Sequence, residues 1–255
     1  MPVSGYALSM IIYPAIDLKG GRCVRLYKGD MSKDTVYSES PAQQAREWAL
    51  AGFSWIHVVD LDGAVQGKPV NEQAVNAIVN AVDIPVQLGG GIRTIAQIEH
   101  WLAQGISRVI LGTVAVRDPE LVKDACRSFP GQVAIGLDAR NGKVAVEGWV
   151  EDSTIRAEDL AKKFEDAGAS CIIYTDIDRD GTGEGLNMTS TIALARATTL
   201  PVIASGGVGS IEDLKKVREA AREGIQGVIV GKALYDKKIR PEQALALCPE
   251  TFQEQ

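Results

Sequence analysis

The stretch at residues 84–94, IPVQLGGGIRT, is a short apolar run that ends in three consecutive glycines and leads into a helical pattern. The arrangement returns at residues 200–210, LPVIASGGVGS, where Pro, Val and two glycines fall in register 116 positions later. An apolar run followed by a glycine turn and a helix is typical of a βα unit. The recurrence indicates that the chain contains two copies of a larger unit.

Eight apolar runs of strand length alternate with helical patterns along the chain. The runs are continuous, as expected for parallel strands that are buried on both faces. This order predicts one α/β domain over residues 1–255, a closed (β/α)8 TIM barrel, with residues 1–9 as a loose extension. A doubly wound open sheet is the alternative. The predicted strands are Ile11–Asp17, Trp55–Leu61, Pro85–Leu88, Arg108–Leu111, Gln132–Asp138, Cys171–Ile177, Pro201–Ser205 and Gly227–Val230.

Further matches extend the repeat to two half-barrels. AGFSWIHVVD at residues 51–60 shares five of ten positions with AGASCIIYTD at residues 167–176, again 116 positions apart. The first and fifth strands are then counterparts, and each ends in an aspartate, Asp17 and Asp138. These strands are diametrically opposed in an eight-stranded barrel, so the two carboxylates are expected to face each other across its mouth.

The glycines at the strand ends are candidate phosphate sites, because glycine lets backbone N–H groups approach an anion and a following helix directs its positive end at it. Two such cradles on opposite sides of one mouth imply a substrate with a phosphate at each end. Tight βα turns that bind nothing are the alternative. The predicted cradles are Gly90, Gly91, Gly112 and Thr113 in one half, and Gly206, Gly207, Gly231 and Lys232 in the other.

The opposed aspartates suit acid–base catalysis, with one carboxyl group as base and the other as acid. Caps of loops, or partners of a nearby arginine or lysine, are alternative roles for Asp17 and Asp138. Asp60 and Asp176 form a second matched pair, which either orients substrate hydroxyls or holds loops. Thr175 lies beside Asp176 and is expected to donate a hydrogen bond.

Two long connections follow the first and fifth strands, and long loops in a compact domain are usually functional. Arg25 in the first is a candidate contact for a carboxylate or phosphate, and Trp149 in the second is a candidate for stacking on a planar ring. The glycine-containing segments at residues 63–68 and 181–185 are predicted to be mobile loops over the substrate. Small hairpins are predicted around Cys23–Tyr27 and Val144–Val150.

Composition narrows the function class. The net charge is −6 and no basic block occurs, which argues against nucleic acid as a partner. No run is long enough to span a membrane and no signal peptide is seen, so we expect a cytoplasmic protein, acting as a monomer. The four cysteines are isolated, and the two histidines lack metal-ligand spacing and are interpreted as structural. We therefore expect side-chain chemistry with neither metal nor cofactor.

These residues together resemble the phosphoribosylformimino-aminoimidazole carboxamide ribotide isomerases of histidine biosynthesis. The resemblance covers about Ile11 to Tyr235 and implies a (β/α)8 barrel that turns a bisphosphorylated aminoaldose into an aminoketose by an Amadori rearrangement. It implies Asp17 as general base and Asp138 as general acid, with Thr175 at the family's strand-6 threonine. The matching stretches are PAIDLKGGRCVRLYKGD at 14–30, VVDLDGA at 58–64, QLGGGIR at 87–93, GLDAR at 136–140, YTDIDRDGTGEG at 174–185 and SGGVGS at 205–210.

Three alternative functions are also compatible with the sequence. The sister cyclase of the same pathway shares the half-barrels and the opposed aspartates, but hydroxyl residues follow its strand-2 aspartate, whereas Asp60 is followed here by Leu-Asp-Gly-Ala. A dual isomerase that also acts on phosphoribosylanthranilate is barely separable by sequence. A non-catalytic phosphosugar-binding barrel is the third, and the aspartate pair argues against it.

Overall fold

The computed structural model describes residues 10–146, 148–149 and 151–248, so the predicted extension at residues 1–9 lies outside the described residues. The strands are β1 (Ile11–Lys19), β2 (Arg22–Tyr27), β3 (Asp30–Ser38), β4 (Ile56–Asp60), β5 (Val86–Gly89), β6 (Arg108–Leu111), β7 (Val133–Arg140), β8 (Lys143–Val146), β9 (Glu151–Arg156), β10 (Ile172–Asp176), β11 (Val202–Ser205) and β12 (Ile225–Val230). The helices are α1 (Pro41–Leu50), α2 (Leu61–Gln66), α3 (Glu72–Val79), α4 (Ile95–Ala103), α5 (Thr113–Arg117), α6 (Pro119–Ser128), α7 (Ala157–Lys162), α8 (Met188–Ala197), α9 (Ile211–Glu219), α10 (Lys232–Tyr235) and α11 (Pro241–Leu245), with 3₁₀ turns at Glu165–Ala167 and Ala220–Glu223.

Eight parallel strands close into a ring, which confirms the predicted (β/α)8 barrel and excludes the open sheet. The ring runs β1, β4, β5, β6, β7, β10, β11 and β12, and β12 pairs with β1 to close it. Strands β5, β6, β10 and β11 are buried along their whole length, as expected for parallel strands that are covered on both faces. Strands β1 and β7 lie on opposite sides of the ring, because three strands separate them in either direction.

The two other strand pairs are antiparallel hairpins at the ends of β1 and β7. Strands β2 and β3 form the first, and β8 and β9 form the second, as the long connections predicted. Both hairpins continue from the carboxyl ends of their barrel strands. They therefore stand on the face of the barrel where active sites are built.

Helix starts follow the local sequence. The Thr94 hydroxyl accepts from the backbone N–H of Gln97, and the Gln97 side chain accepts from the Thr94 N–H, which completes a capping box at α4. Ser210 and Asp213 repeat this box at α9, in the other half of the barrel. Asp118 caps α6, and Pro119 follows it at the first helical position.

One predicted loop was wrong in part. Most of residues 63–68 belongs to helix α2, because the Asp60 side chain accepts a hydrogen bond from the Gly63 N–H and so caps the helix start. Gly67 ends the helix in the left-handed conformation, with φ of 70°. The second segment, residues 181–185, has turns and irregular backbone as expected.

The half-barrel repeat is visible in backbone geometry as well as in sequence. Gly112 and Gly231 precede α5 and α10 with nearly the same unusual dihedrals, φ −102° and ψ −93° against φ −106° and ψ −101°. A Cβ at Gly90 would lie 2.1 Å from the Asp60 carbonyl oxygen, and one at Gly206 would lie 2.6 Å from that of Asp176. The glycine turns thus lie against the preceding strand in the same way in both halves.

Candidate active site

Asp17 lies at the mouth of the barrel on β1, in register with Val59 of the neighbouring strand β4. Its Oδ2 accepts a hydrogen bond of 2.7 Å from Nη1 of Arg25, which comes from the neighbouring strand β2, and both side chains are buried. Burial raises the pKa of Asp17 to about 6, the positive charge of Arg25 opposes the rise, and the negative charge of Asp180 adds to it. The Asp17 carboxylate is therefore a stronger proton acceptor than an ordinary aspartate, yet it is ionised at neutral pH.

Asp138 lies on the far side of the mouth, on β7, in register with Thr175 of β10. Burial raises its pKa, the hydrogen bonds from the side chains of Trp149 and Thr175 oppose the rise, and the charge of Asp180 adds to it. Asp138 therefore keeps its proton to a higher pH than an ordinary aspartate does. The structure thus places Asp17, Asp138 and Thr175 around one cavity, as the sequence predicted.

A third carboxyl group, Asp180, belongs to the site and was missed in the sequence reading. It lies 3.7 Å from Nη2 of Arg25, lines the same cavity as Asp17 and Asp138, and has a pKa that burial raises. Its carbonyl oxygen accepts a hydrogen bond from the Lys28 N–H, which ties its loop to the first hairpin. The signal was present in the DRDGTGEG stretch, where an aspartate precedes a run of glycines.

One cavity connects these groups to the first glycine turn. It encloses about 1250 Å³ when its open mouth is included. Gly90, Gly91, Gly112 and Thr113 all line this cavity, as the first predicted cradle requires.

The second predicted cradle lines a smaller and more polar cavity. Gly206, Gly207, Gly231 and Lys232 come together there, and Arg25 and Asp180 line both cavities. A Cβ at residue 231 would lie 2.4 Å from Cζ of Arg25, so glycine is required for the guanidinium to occupy this place. The Arg25 Nε has no hydrogen-bond partner among the described residues, although it is buried.

Lys232 is held by groups from two elements. Its ammonium group pairs with Asp236 one turn further along, and the Tyr37 hydroxyl of β3 donates a 2.7 Å hydrogen bond to the same carboxylate. These contacts connect the second cradle to the first hairpin. The cation is thereby oriented before any ligand arrives.

Asp60 and Asp176 act as anchors for loops in this structure. Asp60 accepts from the N–H groups of Gly63, Val70 and Asn71 and from the Asn71 side chain. Asp176 accepts from a backbone N–H group and, at 2.6 Å, from the side chain of Asn187, the counterpart of Asn71. Neither aspartate lines the two cavities described above, and a catalytic role for Asp176 stays a prediction.

Trp149 lies over the site, where it contacts the tip of the first hairpin. A Cβ at Gly29 would lie 2.0 Å from its ring, so the bare glycine makes room for the indole. The backbone of Trp149 has φ of 73°, which is costly for a bulky side chain and indicates that its contacts hold it there. Trp149 lines the main cavity, and its stacking on a ligand ring stays a prediction.

The two histidines differ in position. His100 is exposed and contacts Glu72 at 2.8 Å, as a surface residue would. His57 is buried, lines the main cavity and bonds Gln87, and burial lowers its pKa to about 3. The described residues contain no group of three or more potential metal ligands among His, Cys, Asp and Glu. No helix among them is long and apolar enough to cross a bilayer.

The fold and the site define a class: (β/α)8 barrel proteins with two buried carboxyl groups at the barrel mouth and a glycine-lined turn in each half. The family model described as histidine biosynthesis protein matches residues 11–240. The chain therefore belongs to the histidine biosynthesis protein family.

Similar proteins agree with this assignment. Two of them, from Rhodopseudomonas palustris strain BisA53 and from Rhodospirillum rubrum, are each 59% identical over 238 residues, which cover 93% of this chain and 97% and 99% of theirs. A third, from Brucella ovis, is 58% identical over the same length and 98% of its own chain. Each is named 1-(5-phosphoribosyl)-5-((5-phosphoribosylamino)methylideneamino)imidazole-4-carboxamide isomerase.

Proposed function

We propose that this protein is the isomerase that acts on the aminoaldose specified in the name of its relatives, abbreviated ProFAR. An Amadori rearrangement converts ProFAR into the corresponding aminoketose, abbreviated PRFAR. The observation that carries the proposal is the position of two opposed carboxyl groups, Asp17 and Asp138, between two glycine cradles. A substrate with a phosphate at each end spans such cradles and leaves its reacting carbons between the aspartates. The identity of 59% to proteins of that name supports the choice of substrate.

In the proposed mechanism Asp138 acts first. It donates its proton to the ring oxygen of the ribose attached to the amino group, and the ring opens to a protonated Schiff base. Thr175 and Trp149 orient the Asp138 carboxyl group through their hydrogen bonds. Burial keeps this carboxyl group protonated to a higher pH than in water, which is what a general acid requires.

Asp17 then removes the proton from C2 of the opened sugar. The product of this step is an enolamine, which tautomerises to the ketose. A carboxylate with pKa about 6 is a better base than one near 4 and is still ionised at neutral pH. Arg25 keeps Asp17 ionised and in place during the transfer.

The phosphates are held at a distance from the chemistry. We assign one to Gly90, Gly91, Gly112 and Thr113, and the other to Gly206, Gly207, Gly231 and Lys232. Backbone N–H groups and one ammonium group suit two dianions without a broad positive surface, in agreement with the net charge of −6. The reaction needs no metal or cofactor in this scheme, and we place it in the cytoplasm with the chain acting as a monomer.

Replacement of the two aspartates tests the proposal. Asp17→Asn and Asp138→Asn are each expected to lower kcat by at least about 10²-fold and to leave binding of the substrate within about threefold, because each removes one proton transfer. Turnover is measured by chromatography of the product, and binding by calorimetry. Full activity in either variant contradicts the assignment.

The choice of substrate is tested with the wild-type protein. It is incubated separately with ProFAR and with phosphoribosylanthranilate, and product formation is followed. Turnover of ProFAR alone supports the proposal, and turnover of both makes the protein a dual isomerase. Turnover of neither, with tight binding of ProFAR, identifies a binding protein and overturns the proposal.

A further inference from the structure

Three polar side chains lie side by side inside the barrel, beneath the site. His57, Gln87 and Arg108 occupy β4, β5 and β6, and the strand register pairs His57 with Gln87 and Gln87 with Arg108. All three are buried in an interior that is otherwise apolar. Buried polar groups of this kind are costly unless each finds a partner, so the direction of every hydrogen bond matters.

The direction is determined by Arg108. Its Nε and Nη2 donate to Oε1 of Gln87 at 3.0 and 2.5 Å, and a guanidinium group has no acceptor to offer. The amide oxygen of Gln87 must therefore face Arg108. The amide nitrogen then faces Nδ1 of His57 at 2.9 Å, and because it is a donor, Nδ1 must be the acceptor.

Arg108 is itself held in place, so the amide has little freedom to turn over. Its Nη2 donates to the Tyr13 hydroxyl at 3.2 Å, and its guanidinium carbon lies 4.6 Å from the centre of the Trp55 ring. A hydrogen bond and a cation–π contact thus anchor the far end of the row. The order of donors and acceptors runs in one direction from Arg108 to His57.

The other ring nitrogen of His57, Nε2, is the one that does not contact Gln87. The ring is neutral at physiological pH, because burial lowers its pKa and the charges of Arg25 and Arg108 lower it further. With Nδ1 unprotonated, the single proton is on Nε2. His57 and Asp17 line the same cavity from neighbouring strands, where His57 is in register with Ala15, two residues before Asp17.

We propose that Gln87 and Arg108 are positioning residues that fix His57 as its Nε2–H tautomer, and that His57 thereby donates a hydrogen bond to a sugar oxygen of the substrate beside Asp17. The first half stands on the geometry alone, and the second half rests on the proposed function. In the enolamine step the oxygen on C2 becomes enolic. A neutral donor at that oxygen stabilises it without competing with Asp17 for the proton.

The tautomer is measured directly by ¹⁵N NMR of histidine side chains at neutral pH. The chain has two histidines, so the spectrum contains two ring systems, and the exposed His100 serves as an internal reference. In the wild-type protein we expect an unprotonated Nδ1 and a protonated Nε2 for His57. A protonated Nδ1 in His57 overturns the proposal, whether or not the protein shows isomerase activity.

Gln87→Glu is the sharpest variant, because its size is nearly unchanged. The introduced carboxylate still accepts from Arg108 but cannot donate, so the single ring proton of His57 is expected to move from Nε2 to Nδ1 in order to keep the contact. Tyr13→Phe removes another bond of Arg108 without turning the amide, and the His57 spectrum is expected to remain that of the wild type. An unchanged His57 spectrum in Gln87→Glu contradicts the proposal that Gln87 and Arg108 fix the tautomer of His57.

Activity provides the second arm of the test. In Gln87→Glu we expect kcat for ProFAR to fall about 10²- to 10³-fold and KM to change less than about threefold, as for the loss of one preorganised donor. Gln226→Glu makes the same chemical change at an exposed position of β12 and is expected to leave both unchanged. An altered tautomer with normal kcat supports the positioning of His57 by Gln87 and Arg108 but refutes the hydrogen bond from His57 to the substrate.

Discussion

The charge of Arg25 beside Asp17 leads to a quantitative prediction about pH. Charge centres about 4 Å apart interact by about 4 kcal/mol at an effective dielectric constant of about 20, and that energy corresponds to about 3 pH units. Carboxyl groups beside an arginine generally show pKa values lowered by about 1 to 3 units. In Arg25→Gln the pKa of Asp17 is therefore expected to rise from about 6 to between roughly 7 and 9.

The assay is the dependence of kcat/KM on pH between about 5 and 9, which reports the free enzyme. In the wild type, activity should fall below about pH 6, because the base must be ionised and Asp17 gains a proton there. In Arg25→Gln this acid limb is expected to move to higher pH by about 1 to 3 units. The midpoint of the limb is informative even if the variant binds substrate less well.

Two further variants control the experiment. Arg25→Lys keeps a positive charge and should leave the limb within about 1 unit of the wild type. Arg22→Gln removes an exposed arginine from the same strand, whose nearest carboxylate is Glu39 at 3.7 Å, and should not move it. An acid limb in Arg25→Gln at the wild-type pH or below it refutes the reasoning.

Three other predictions follow from the contacts of the site. Gly90→Ala is expected to lower the free energy of unfolding by at least about 2 kcal/mol more than Gly131→Ala does. A Cβ at residue 90 would lie 2.1 Å from a carbonyl oxygen, whereas a Cβ at residue 131 would have nothing within 4 Å. Equal melting temperatures of the two variants would refute this prediction. Asn71→Ala removes a hydrogen-bond donor to the buried Asp60 carboxylate and should lower the free energy of unfolding, measured by chemical denaturation, by about 1–3 kcal/mol. An unchanged free energy of unfolding would show that this hydrogen bond does not contribute to stability. Trp149→Phe removes a hydrogen bond that lowers the pKa of Asp138, so ¹³C NMR of the carboxyl group should show a higher pKa, and a lower one would contradict the assignment.

Most of the barrel could be predicted from the sequence because its strands are buried on both faces. Such strands are continuous apolar runs that differ sharply from the amphipathic helices between them. The opposed positions of Asp17 and Asp138 then follow from the closure of eight strands, and the glycine turns follow from the repeat. Each of these features depends on local sequence and on one topological rule.

The parts that could not be predicted depend on contacts between distant segments. Asp180 lies on irregular backbone whose path is set by contacts with the first hairpin, such as the bond from Lys28 N–H. His57 reads as an isolated histidine, and only the strand register brings Gln87 beside it. The helix after Asp60 is short and contains Gly63, and glycine is a poor helix former, so the cap that starts the helix outweighs its local propensity.

The aspartate–asparagine pairs that hold loops in the two halves have a consequence for how the framework and the site can change independently. Asp60 with Asn71, and Asp176 with Asn187, each hold a loop within one half, so each half contains the support for its own loop. A chimera made of two copies of one half would keep that support. It would also give both aspartates the same neighbours, and the difference between Arg25 on one side and a threonine and a tryptophan on the other would vanish. Duplication supplies the framework, and divergence of the neighbours gives the two aspartates different surroundings.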